Sequence, residues 1–221
     1  MRARLPPTRA LSVYSGLFEW APSKAQRRMI QILEAAIRCY VTIGIESTTY
    51  ESIAKQGKMS RPLIQHYFKD KNAIFEMVVK YIRVNFQKIA VDAIQKAKTP
   101  EEQLRQYVGS LFIWRKKYPL HVKVWNLVYY YAAVNPDIRR LHTDLATMGH
   151  DRITELLAAG AEAGVFAKGE FRKRAKIIQT LYTGGLITAS SENLYIPEET
   201  FKEHLVEGCL EIAMGHRIKT Q

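Results

Sequence analysis

Residues 49–68 read TYESIAKQGKMSRPLIQHYF, and this stretch decides the fold. A helix-turn-helix needs two short helices packed at a steep angle, a small residue where they approach, and apolar residues pinning the second onto the first. Ala54 supplies the small contact, while Ile53, Met59, Ile64 and Tyr67 supply the pins. Gly57-Lys58 breaks the first helix and Ser60 opens the second, with Pro62 tolerated in its first turn because no intrahelical N–H is lost there. Arg61, Pro62, Leu63, Gln65 and His66 then face outward. Arginine and glutamine suit base edges, and a leucine suits a thymine methyl. The side chains of Thr48, Thr49, Tyr50 and Ser60 lie at helix N-termini, where hydroxyls and backbone N–H groups suit phosphate oxygens. Lys71 is a further phosphate contact, and Tyr67 serves either as a pin or as a phosphate donor.

Two short helices with one polar face also occur as ordinary parts of a bundle, so the flanking sequence has to decide. Upstream, Ser23 and Gln26 have the spacing of a capping box, and Ile30, Leu33, Ile37, Tyr40 and Val41 follow with helical period before Gly44. Thr48 and Glu51 repeat the capping-box spacing. Downstream, Asp70 caps a helix with Ile74, Phe75, Val78, Tyr81 and Ile82 on one face, running to about Ala97. Further helices are expected near 101–117, 120–133, 137–163, 170–191 and 198–216, punctuated by Pro100, Pro119, Pro136, Gly164 with Gly169, and Pro197. No alternating strand pattern and no fixed-period repeat occurs. The expected class is all-α: a three-helix N-terminal unit and a larger helical C-terminal part, about nine helices together.

The chain has 221 residues, 24% charged and 47% hydrophobic, which supports a packed core and argues against global disorder. No run approaches the roughly 18 apolar residues of a membrane span. Lysine and arginine exceed aspartate and glutamate by 12, which favours a polyanionic partner. The excess is densest early: residues 23–86 carry 11 basic and 5 acidic side chains, against 19 and 15 over residues 87–221. Cys39 and Cys209 form no disulfide framework or zinc site; they read as buried thiols of a protein in the reducing cytoplasm. His142 and His150 lack metal-ligand spacing, so neither a metal nor a cofactor is implied. Residues 1–22, with Arg2, Arg4 and Arg9, read as a basic arm.

From Gln26 to Phe86 the order of elements resembles the TetR family of bacterial transcriptional regulators. The resemblance is carried by Gly44, Thr48-Thr49, Ile53-Ala54, Ser60, Phe68, Lys71 and Phe75. AEAGVFAKGEFRKRAKIIQTLYTGGLITAS (161–190) is similar to the family's penultimate helix. Lys58 stands where the family commonly has glycine, and Gln65 and Tyr67 where tyrosine and histidine are frequent.

The resemblance implies a homodimer that places two recognition helices on a roughly palindromic operator, with repression the commoner mode. It divides the chain into an arm (1–22), a DNA-binding domain (23–70) and an effector-binding and dimerisation domain (71–221). The last two helices would pair with their mates through Ile178, Leu181, Gly185, Phe201, Leu205, Cys209 and Ile212; the alternative is that these stripes are intramolecular core. The aromatic-rich middle helices would hold a small, largely apolar effector against Leu111, Trp114, Trp125, Tyr129 and Met148. Three successive tyrosines, Tyr129 to Tyr131, cannot share one helix face, so some hydroxyls must find polar partners.

Two other readings stay open on the residues alone. One is an all-α enzyme with an aromatic pocket, although no catalytic residues, nucleophile elbow, phosphate-binding glycine loop or paired acid–base carboxylates are seen. The other is a basic helical interaction module, which would place its charge along one long amphipathic face.

Overall fold

A computed structural model describes residues 23–190 and 195–215, so the N-terminal arm lies outside the described residues. Nine helices occur among the described residues: α1 (Lys24–Ile43), α2 (Tyr50–Gly57), α3 (Arg61–Tyr67), α4 (Lys71–Lys96), α5 (Pro100–Lys117), α6 (Pro119–Val134), α7 (Pro136–Glu162), α8 (Phe171–Ala189) and α9 (Glu198–Met214). There are no strands among them. Three helices begin on a proline, where the missing N–H is one the helix would leave unbonded in any case. Among the described residues, no helix is long and apolar enough to cross a membrane.

The chain forms two compact units. The first holds the described residues through Asn85 together with Leu120–His142; the second holds Phe86–Pro119 and the described residues from Thr143 onward. In the first unit, Ser23 and Gln26 bond reciprocally as a capping box on α1, and Gly44 ends that helix at φ 83°, a conformation glycine adopts without strain. Ile32, Leu33, Ile37, Ile53, Ile64, Ile74, Val78 and Ile82 are fully buried and form its interior. At the edge of this core the part-buried Glu34 carboxylate accepts the Tyr81 hydroxyl at 2.9 Å and lies 3.1 Å from Nε2 of His121, tying α1 to α4 and α6. Burial works to raise the Glu34 pKa, but hydrogen bonds from His121 and Tyr81 outweigh it and hold the carboxyl below its ordinary range.

The second unit packs α5, α8 and α9 around Leu104, Tyr107, Val108, Leu111, Ile178 and Cys209. Phe86, Trp114, Tyr107 and Tyr182 form a linked aromatic cluster with ring centroids 5.2–5.9 Å apart. Arg174 is buried and bonds to the carbonyls of Ala213, Ala167 and Gly169, closing the end of α9 against the start of α8. Cys39 and Cys209 are free and buried, as expected.

Candidate nucleic-acid interface

The α2–α3 pair is built around very few apolar side chains. Ile53 and Ile64 are fully buried and Ala54 nearly so, while Met59 and Tyr67 are half-buried. The turn between them is set by Lys58, which takes a left-handed φ of 51°; its N–H bonds back to Lys55 and Ala54. Lys58, which stands where the resembled family commonly has glycine, thus takes a left-handed conformation that glycine adopts without strain. Gly57 has the separate task of close approach: a Cβ there would lie 2.3 Å from Met59 Cε and 3.1 Å from Ala35 Cβ. This second small residue, one turn beyond Ala54, lets α2 rest on α1.

With Ile64 turned inward, Arg61, Pro62, Gln65 and His66 are exposed along α3, and Leu63 is half-buried. Ser60 stands at the N-cap, exposed and with no side-chain capping bond. Arg61 forms an ion pair with Glu51 of α2, both side chains more than half exposed. Such a surface pair contributes at most about 1 kcal/mol, so it orients the guanidinium without locking it. Tyr50 donates its hydroxyl to the Phe68 carbonyl at 3.3 Å, joining the start of α2 to the end of α3. Asp70 caps α4 through the Ala73 N–H at 2.7 Å. Lys71 follows, exposed, with its ammonium 3.4 Å from the Glu46 carbonyl.

One expected contact is corrected. Thr48 is 2% exposed and donates its hydroxyl to the Gly44 carbonyl at 2.7 Å. The capping box belongs to Thr49 and Ser52, one position later than the expected Thr48–Glu51 pair. Thr49 is the exposed threonine, and Thr48 closes the preceding turn instead of facing a phosphate.

The expected dimer stripe is also corrected in large part. Ile178 and Cys209 are fully buried, and Leu205 and Ile212 are at most 9% exposed. Gly185 lies beneath Leu205, whose Cδ2 would be 2.5 Å from an added Cβ. Phe201 packs edge-on against Phe112 at 6.1 Å. These residues join α8, α9 and α5 within one protomer, and of the seven only Leu181 is exposed. The apolar side chains that α8 leaves in solvent are Ile177, Leu181 and Ile187, with open space around Gly184 between them.

The five expected effector contacts fall in both units. Leu111 and Trp114 are buried in the second, where Met148 is half-buried. In the first, Trp125 Nε1 donates to the Tyr129 hydroxyl at 3.2 Å, and the His142 ring packs 5.1 Å from Tyr129 and 6.3 Å from Trp125. Burial, aided by the Arg83 charge, holds His142 below its ordinary pKa, so the neutral ring is favoured in this cluster. The neighbouring Tyr131 donates to Glu46 at 3.2 Å, the kind of polar partner that three successive tyrosines require. Glu46 was not singled out in the sequence; only this tyrosine run pointed towards it.

Comparison with known proteins agrees with this geometry. Residues 32–78 match the model for bacterial regulatory proteins of the tetR family, and residues 100–205 match that for the C-terminal part of the BetI-type transcriptional repressor. The two matches together span more than half of the chain, which belongs to the TetR family of transcriptional regulators. Among curated relatives, the HTH-type transcriptional regulator BetI of Burkholderia cenocepacia is 24% identical over 149 residues, covering 63% of this chain and 77% of that protein. BetI of Brucella canis is 26% identical over 145 residues, 64% of this chain and 73% of that one. A TetR transcription regulator from Haloarcula marismortui shares the fold, with a TM-score of 0.70 at 17% identity over 86% of this chain and 97% of its own. A protein from Saccharomonospora viridis solved in complex with choline does so with a TM-score of 0.71 at 21% identity, over 83% and 95% of the two chains.

Proposed function

We propose that the protein is a cytoplasmic, homodimeric repressor that binds a palindromic operator through α3 and is released by a small-molecule effector held among its middle helices. The observation that carries the reading is α3 itself. One buried isoleucine holds a helix whose outward residues, Arg61, Pro62, Gln65 and His66, are polar or small enough to enter a major groove. Arg61 and Gln65 read base edges, and Leu63 meets a thymine methyl. Ser60, Thr49, Tyr67 and Lys71 hold phosphates, assisted by the N-terminus of α2, where Tyr50 offers its backbone N–H. Residues 23–70 form the DNA-binding domain and residues 71–221 the effector-binding and dimerisation domain.

Dimerisation uses the open face of α8, where Ile177, Leu181, Gly184 and Ile187 recur at helical spacing. The effector contacts Trp125 and Tyr129, which the first unit brings together beside His142. The choline bound by the Saccharomonospora viridis protein is support for a small ligand on this fold. An effector lowers operator affinity only by its preference for the DNA-incompetent state.

The test is a fluorescence-anisotropy titration of the full chain against DNA from upstream of its own gene and against the same DNA shuffled, at several salt concentrations. Tight binding to the natural fragment that weakens steeply with salt supports the reading, since each neutralised phosphate contributes about −0.9 to the log–log slope. Equal affinity for both fragments contradicts it.

A further inference from the structure

Glu51 is the single acidic residue between Thr49 and Phe68, a stretch that also carries Lys55, Lys58 and Arg61. It stands in the first turn of α2, and Arg61 is the first residue of α3. On an isolated helix the ordinary partner of Glu51 would be Lys55, four residues on and on the same face. The carboxylate instead meets Nη1 of Arg61 across the turn. The pair is therefore a product of how α2 and α3 pack. Both side chains stay more than half exposed, on the surface proposed to face DNA.

A carboxylate on such a surface is unfavourable in itself, because it repels the phosphates that the neighbouring cations attract. The N-terminus of α2 explains part of its presence, since a negative charge there complements the helix dipole. That accounts for the charge but not for the contact with Arg61. A guanidinium beside DNA has two competing kinds of acceptor: phosphate oxygens, which are alike in every sequence, and the O6 and N7 of guanine, which are not. The bond to Glu51 uses Nη1 and leaves the rest of the donor fork open. A phosphate approaching this guanidinium meets the Glu51 charge as well, whereas a guanine edge is neutral and meets no such repulsion.

We propose that Glu51 is a positioning residue for base reading: it holds Arg61 away from phosphates and leaves its remaining donors for a guanine edge. The inference rests on the proposed function and deepens it, because it assigns part of the operator selectivity to an acidic residue with no attraction to DNA of its own. Selectivity of this kind comes from weakening the contacts that every sequence offers.

The experiment compares the unaltered full chain with Glu51→Gln, Arg61→Ala and the double variant Glu51→Gln/Arg61→Ala by fluorescence anisotropy. Each is titrated with DNA from upstream of its own gene and with the same DNA shuffled, over a series of sodium chloride concentrations. Glu51→Gln should bind shuffled DNA more tightly, with a log–log salt slope steeper by about 0.9, as Arg61 takes up one phosphate. Its preference for the natural fragment should fall about fivefold, the most that a surface ion pair supplies. In the Arg61→Ala background the same substitution should shift both affinities alike. It should leave the preference and the salt slope where Arg61→Ala alone puts them. Equal shifts for both DNAs in the chain that keeps Arg61, or a fall in preference that persists without Arg61, overturn the inference and leave Glu51 as a helix-end charge. An unaltered chain with no preference overturns the proposed function and this inference with it; a preference that Glu51→Gln leaves intact overturns this inference alone. Circular dichroism melts verify that the variants fold, the Thr49–Ser52 capping box holding the start of α2 in each.

Discussion

Helices α3 and α8 were both expected to act through their outward faces, yet only one presents the residues expected of it. In α3, Ile64 is the single fully buried residue, flanked by exposed Arg61, Pro62, Gln65 and His66. A helix of 7 residues with so little apolar surface has one way to sit on its neighbours, and the polar face follows. Helix α8 has apolar residues on several sides: Ile177, Ile178, Leu181, Tyr182, Leu186 and Ile187. Spacing alone cannot say which of two overlapping stripes turns inward. The structure buries Ile178, Tyr182 and Leu186 and exposes Ile177, Leu181 and Ile187. An amphipathic helix is legible when its apolar arc is narrow, and ambiguous when the arc is wide enough to serve both a core and a partner.

The comparison is broken most directly by truncating the inward residues. Ile64→Ala and Ile178→Ala should each cost about 2–5 kcal/mol in chemical denaturation, since each removes a fully buried side chain. Leu181→Ala and Ile187→Ala should cost well under half as much when the monomer is stressed, because these residues are exposed within one protomer. Their larger effect should be a rise in the dimer dissociation constant, read by sedimentation velocity. If instead Leu205→Ala abolished dimers while leaving monomer stability intact, the inward assignment of that stripe would be wrong.

Overpacking gives the next effect in size. Gly57→Val places branched carbon atoms against Met59 and Ala35, and should destabilise the first unit by about 1–3 kcal/mol in a thermal melt. A smaller effect concerns pH. The Glu34 carboxyl is held below its ordinary range, so its contribution to stability is complete above about pH 4.3 and is lost as the pH falls through its lower folded-state value. Glu34→Gln should flatten that acid limb of a stability-against-pH curve; an unchanged limb would show that the Tyr81–Glu34–His121 link does not report on folding. The smallest effect is at Lys71. Lys71→Ala should weaken binding to natural and shuffled DNA alike and reduce the salt slope by about 1.

Much of the architecture was legible because proline and capping residues set the helix ends. Pro100, Pro119 and Pro136 each start a helix, the first of them capped by Thr99, and Ser23 and Asp70 cap two others. The threonine pair shows where this legibility stops. Thr48 has Glu51 three residues on and Thr49 has Ser52, so the sequence permits two capping registers one residue apart. The turn at Gly44 selects between them by drawing the Thr48 hydroxyl to its carbonyl. In the candidate site, α3 needed only local information. The Tyr131–Glu46 bond did not: it joins residues 85 positions apart, and no local pattern marks such a pairing.

The account rests on α3 reading bases, and the double variant Arg61→Ala/Gln65→Ala tests this most directly. Its affinities for the natural upstream fragment and for the shuffled one, measured at one salt concentration, should converge. The shuffled-DNA affinity should stay close to that of the unaltered protein, and the natural fragment should lose about 1–3 kcal/mol per contact removed. A variant that keeps its full preference for the natural fragment would contradict the claim.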